Sequence, residues 1–269
     1  MREPSGERFD ALVRIMERLR ADGGCPWDRE QTRQSLKPFL IEEAYEVVEA
    51  IDEGDTEQLL EELGDLLFQV VFHAQVAAER GEFTIGDVLA ATADKMVRRH
   101  PHVFSDGTAS TAGEVLEQWE KLKREERDAA AALPGSALDG VPKELPALLR
   151  AQRLQDKASR AGFDWPEISG VIAKVQEELD ELKVAMEGPA PNEIEQELGD
   201  LLFSLVNMAR FLNLSAEDAL RKSVARFTGR FRYMEQAVER GGRRLKEASP
   251  EEMNRLWEEA KASGRLPFA

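Results

Sequence analysis

The residues best suited to chemistry in this sequence are carboxylates at helical spacing. Glu43 and Glu46 stand three apart, as do Glu62 and Asp65, and the set returns as Glu178 and Glu181 with Glu197 and Asp200. Residues three apart on a helix are surface neighbours, so each pair shares one side. At about 100° per residue, Leu40, Ala44, Val47, Val48 and Ile51 form one apolar stripe, with Glu43 and Glu46 along its flank. Leu63, Leu66, Leu67 and Val70 form the matching stripe on the next helix, flanked in the same sense by Glu62 and Asp65. If the two helices pack antiparallel, their four acids converge on a rim beside the apolar seam. Such a group repels itself unless a cation lies within it. Oxygen donors without His or Cys suit Mg²⁺, with Mn²⁺ as a substitute.

A single acidic run at helical spacing reads as a solvated surface. Repetition changes that reading. Glu43 and Glu178 are 135 positions apart, and Glu62-Leu-Gly-Asp-Leu-Leu-Phe68 recurs at the same offset as Glu197-Leu-Gly-Asp-Leu-Leu-Phe203. Farther on, Thr84 and Asp87 match Ser215 and Asp218, Lys95 matches Arg226, and Arg99 matches Arg230, now 131 apart. Trp119 and Trp257 are each followed by Glu, and Ala11–Arg14 resembles Ala147–Arg150. The chain therefore carries one unit twice. Residues 129–142, rich in Ala with two Pro and two Gly, lack an amphipathic period and read as a linker. The predicted domains are residues 1–133 and 134–269.

Each domain should contain a leading helix, an irregular segment at Gly23–Trp27 or Gly162–Pro166, three further helices and a terminal one. Thr84 and Ser215 read as N-caps in variant capping boxes, while Gly54-Asp55 and Gly188-Pro189 break the acidic helices. Abundant Ala, Leu, Glu and Arg in a chain of 269 residues with two Tyr favour an all-α fold of tandem duplicated helical domains, each built on an antiparallel acidic helix pair. The helices holding Leu66–Val76 and Leu201–Leu212 are apolar nearly all round, Phe68 and Phe72 lying opposite the leucine stripe. That surplus calls for a second partner, and a homodimer of helical bundles is expected.

Lys and Arg number 36 against 52 Asp and Glu, a net charge of −16, which argues against nucleic-acid binding through a general positive field. One cysteine, Cys25, leaves no internal disulfide and no cysteine-rich zinc cage. Without a basic leader or a membrane-length apolar run, a cytoplasmic protein with no membrane partner is expected. A di-iron carboxylate bundle would need Glu-x-x-His on two helices, and that motif is absent. Of the three His, His73 reads as a satisfied core residue, while His100 and His102 read equally as phosphate contacts or as a polar helix end.

Gly23-Gly-Cys-Pro-Trp-Asp28, the paired acidic motifs, Arg98-Arg-His-Pro-His-Val-Phe104 and Gly162-Phe-Asp-Trp165 together resemble the MazG family over nearly the whole chain. The acidic motifs alone mark the wider group of all-α NTP pyrophosphatases; the tandem repeat and the first segment are specific to MazG. The resemblance implies Mg²⁺-dependent cleavage of nucleoside triphosphates between the α- and β-phosphates, with activity in the second half. It implies that Glu178, Glu181, Glu197 and Asp200 hold metal, and that Lys174, Glu177, Glu178, Arg226, Arg230 and Trp257 contact nucleotide. Glu177, Glu178, Arg226 and Arg230 would serve catalysis. In the first half the corresponding residues are Glu43, Glu46, Glu62 and Asp65 for metal, with Lys95 and Arg99 as cations. Val224 stands where the family commonly has Asn, and Arg226 where it has Lys. The lost amide slightly favours an alternative function, a nucleotide-binding regulatory or scaffold protein without turnover, which the intact acidic quartets strongly disfavour.

Overall fold

The computed structural model describes residues 5–130, 135–188 and 190–262. Residue 133, the expected domain boundary, and Pro189 lie outside them. The described residues form helices and turns without strands. The chain divides into two compact units, residues 1–123 and 124–269.

The first unit begins with α1 (Ser5–Arg20), α2 (Pro26–Glu30), α3 (Arg33–Glu53) and α4 (Thr56–Glu79). It continues through α5 (Ile85–Arg99), α6 (Pro101–Phe104) and α7 (Ala112–Ala130), the last of which runs across the division. The pair α3 and α4 is the framework of the unit. Thr32 caps α3 through a reciprocal box with Ser35. Gly54 ends α3 at φ 72°, a left-handed conformation that glycine adopts at no steric cost. The Asp55 carboxylate then accepts from the backbone N–H groups of Glu57 and Gln58 at 2.9 and 3.0 Å, starting α4 directly after the Gly54-Asp55 break. Met16, Leu36, Val71, Phe72 and Val76 form the core, with Phe9, Leu12 and Phe39 packed against it.

In the second unit the order is α8 (Ala147–Arg160), α9 (Ile168–Glu187), α10 (Pro191–Phe211), α11 (Ala216–Glu239) and α12 (Pro250–Ala262), with a 3-10 turn at Leu245–Glu247. Helices α9 and α10 pair as α3 and α4 do, and α8 packs on α10. Met234, Val238, Ala248 and Leu256 close a core between α11 and α12. Thr84 and Asp87 form the full reciprocal box expected at α5, whereas at α11 only the Ser215 hydroxyl accepts, from the Asp218 N–H. Pro101 has no N–H to offer a continuing helix, so α5 stops at Arg99. The matching position in α11 is Arg232, and that helix runs on to Glu239.

Three sequence expectations need correction. The segment at Gly23–Trp27 is not wholly irregular, because Pro26 at the first helical position starts the short helix α2. His73 is half-buried with its Nε2 atom lacking a hydrogen-bond partner among the described residues, so it is not a satisfied core residue; burial, then Arg33, lowers its pKa. The larger correction concerns helix orientation. In α3 the buried line is Leu36, Val47 and Ala50 with Glu43 partly covered among them, while Ala44 and Ile51 are exposed. In α4, Gln69 and Phe72 are buried, and Leu63, Leu67 and Val70 are exposed at 50%, 41% and 38%. At 100° per residue the buried line of α3 is thus turned by roughly a fifth of a revolution from the expected stripe, while in α4 Val71, Ala74 and Ala77 are buried as well, so its covered surface extends round to the phenylalanine side. Glu43 and Glu178 are thereby drawn toward the seam between the paired helices, while Asp65 and Asp200 stay exposed at its rim.

Candidate metal and nucleotide site

The seam decides which side chains meet. Glu43 on α3 with Glu62 and Asp65 on α4 offer one carboxylate oxygen each, all within 4.8 Å of one another. In the second unit Glu178, Glu197 and Asp200 do the same. Glu178 is the most enclosed of these acids, 5% exposed, on a buried line of α9 with Val171 and Ala185. Glu46 and Glu181 stand outside the trios but act on them electrostatically.

Crowding of like charge marks both sites. Burial, then the neighbouring Asp65 and Glu46, raises the Glu43 pKa. Glu62 is raised by desolvation and by Glu46 and Asp65; Glu197 is raised by desolvation and by Glu181, Asp200 and Glu178. A divalent cation would relieve this repulsion, and the donor set, all carboxylate oxygen, suits a hard ion.

The units differ in what neutralises the buried glutamate. Lys174, one turn before Glu178, places its ammonium 2.8 Å from Glu177 and 2.8 Å from Glu178. Those bonds, to Glu177 and then Glu178, hold the Lys174 pKa above the usual lysine range. The first unit has Phe39 at that position, 135 residues earlier, with the Trp27 ring packed edge-on at 5.7 Å. There Glu43 accepts instead from the Gln69 side-chain amide at 3.4 Å.

The remaining cations are placed on aromatic faces. Arg230 on α11 lies 5.6 Å from the centre of the Trp257 ring on α12, and Phe227 packs against the same indole at 5.5 Å. Arg99 lies 5.6 Å over Trp119 in the first unit, where His100 takes the aromatic place at 4.9 Å. Arg226 is exposed and Lys95 half-buried on their helices. Such stacking fixes the plane of a guanidinium.

Two contributors escaped the sequence reading. Gln69 gave no motif signal, being one amide in an apolar run. Gly170 carried a signal, a glycine near the start of a helix one turn before Lys174: a Cβ there would meet the Trp165 ring at 2.7 Å, so the indole lies flat on the helix. Asp164 holds that segment in place, accepting from Ser159 at 2.6 Å and from the Arg210 guanidinium at 3.0 Å.

Comparison with known proteins agrees with the doubling. The MazG nucleotide pyrophosphohydrolase domain matches residues 31–104 and again 167–234, spanning both helix pairs. The chain is 49% identical to the nucleoside triphosphate pyrophosphohydrolase/pyrophosphatase MazG of Thermotoga maritima, covering 96% of this chain and 97% of that protein. It is 46% identical to the nucleoside triphosphate pyrophosphohydrolase of Escherichia coli, covering 94% and 97%. An uncharacterized protein of Bacillus subtilis, YabN, is 46% identical over 96% of this chain, which spans 52% of that longer relative. With its domain present twice and near full-length similarity to named members, this chain belongs to the MazG nucleotide pyrophosphohydrolase family.

Proposed function

We propose that the chain hydrolyses nucleoside triphosphates between the α- and β-phosphates, releasing a nucleoside monophosphate and pyrophosphate, with Mg²⁺ as the cofactor. The observation that carries this is the acidic trio, three oxygens within 4.8 Å of one another, formed in each unit between the paired helices. Glu178, Glu197 and Asp200, with Glu181 beside them, would hold the ion in the second unit; Glu43, Glu62 and Asp65, with Glu46, would hold it in the first. When bound, the ion neutralises phosphate oxygens and acidifies a water.

The chain's own residues supply the rest. Lys174 and Arg226 bind phosphate oxygens, and Arg230, held on Trp257, donates to the departing pyrophosphate as its charge grows. Glu177, exposed beside Lys174, orients the attacking water. Products resolved from each common NTP with Mg²⁺ test this directly. Monophosphate plus pyrophosphate is expected, abolished in Glu178→Gln if the second unit works and in Glu43→Gln if the first does. Diphosphate plus phosphate, or no turnover, would favour a binding protein instead.

We further propose a homodimer. Leu63, Leu67 and Val70 on α4 and Leu198, Leu202, Phe203 and Leu205 on α10 are exposed, an apolar area that a second copy would cover. A sedimentation mass of two chains at micromolar concentration is expected; a mass of one chain would sink the idea.

A further inference from the structure

The residue one turn ahead of the buried glutamate separates two sites whose acids otherwise match. In the second unit it is Lys174, with its ammonium 2.8 Å from both Glu177 and Glu178. In the first it is Phe39, against which Trp27 packs, and the donor to Glu43 is a neutral amide. Glu178 is 5% exposed, so its charge has little access to water and depends on that ammonium.

A carboxylate in this position cannot serve the ammonium and a divalent ion together without bringing two cations within a few ångströms of each other. An ion entering the second site must therefore displace Lys174 or bear its repulsion across the shared carboxylate, and the first site carries no such cost. A polyphosphate offers the displaced ammonium several anionic oxygens in exchange for one. Resting on the reading of the trios as metal sites, we propose that Lys174 is a resident counter-ion. It closes the second site to a free divalent cation and opens it to one arriving with a polyphosphate, whereas the first site accepts the free ion.

Both halves of the statement can be measured on the full chain by following free Mn²⁺ through its paramagnetic resonance signal. Wild-type protein should show two affinity classes, the tighter lost in Glu43→Gln and the weaker in Glu178→Gln. Lys174→Met should tighten the second site for free Mn²⁺, by a factor within the range of about 5- to 150-fold usual for coupled sites. The same variant should weaken binding of Mn²⁺ complexed to a nucleotide carrying a methylene between its α- and β-phosphorus atoms. Opposite signs are the distinguishing result, because a merely structural loss would weaken both. Phe39→Lys should loosen the first site, giving an independent reading in the other half, and Lys174→Arg should keep the wild-type pattern. Unchanged free-ion affinity in Lys174→Met, or both affinities moving together, overturns the proposal. If neither Glu→Gln variant removes a Mn²⁺ site, the metal reading itself fails and takes this inference with it.

Discussion

At the scale of single residues, the ion pair between Arg20 and Glu79 shows how a buried cation ties acid stability to one carboxylate. The Arg20 side chain is 7% exposed and meets Glu79 at 2.7 Å, and its hydrogen bonds are the chief reason the Glu79 pKa falls below the ordinary 4.5. A depressed folded-state pKa gives stability that is complete above the unfolded value and lost as pH falls through the folded one. Glu79→Gln should therefore cost about 1–3 kcal/mol at neutral pH, since Arg20 loses a charged partner. The two proteins should converge in acid, where Glu79 is protonated; urea unfolding across that range checks it, and a constant difference would refute the link. Gly170→Ala tests packing instead. The added Cβ cannot coexist with the Trp165 ring, so a loss of about 1–3 kcal/mol and an altered indole emission are expected. Motif and repeat named the acids and the arginine and tryptophan partners, and the family resemblance named Lys174, which the repeat does not carry. Gln69 was not legible, since nothing in sequence distinguishes an amide aimed into a seam from one aimed into solvent.

Among the elements, helix positions and partners followed from caps, breaks and period, but helix rotation did not. A helix with apolar residues on two sides can turn either one inward. Periodicity weighs Leu63, Leu67 and Val70 as heavily as Phe68 and Phe72, and the structure buries Phe72 while leaving the leucines out. The deciding factor is tertiary: the core of the first unit is completed by Met16 and Leu36, which lie on the phenylalanine side. Gly64 and Gly199 fit the same picture. Each sits inside a helix, where glycine costs about 1 kcal/mol relative to alanine, and a Cβ on either meets nothing within 4 Å. The open space at both suits close approach by another surface. Gly64→Leu and Gly199→Leu should leave each chain folded and shift the sedimentation mass from two chains toward one. Retention of the dimer in both would place its interface elsewhere.

For the whole molecule, duplication was the most readable feature, because two offsets of the same motifs cannot arise from composition. Its functional meaning is less uniform than the repeat suggests. Both units keep the acidic trio and the arginine-on-tryptophan pair, yet position 39 against 174 and the break at Pro101 make them different devices on one scaffold. Among the described residues no helix is long and apolar enough to cross a membrane.

The short break between α3 and α4 bears on how the protein is made. A helix pair joined by so little chain needs only local contacts and closes fast. The N-terminal unit is therefore expected to fold while the second is still being synthesised. Its exposed leucines, Leu63 and Leu67, would then be displayed to sister chains on the same messenger. With the dimer proposed above, subunit pairing would start during translation, and the order of synthesis would favour contacts between first halves before any second half exists.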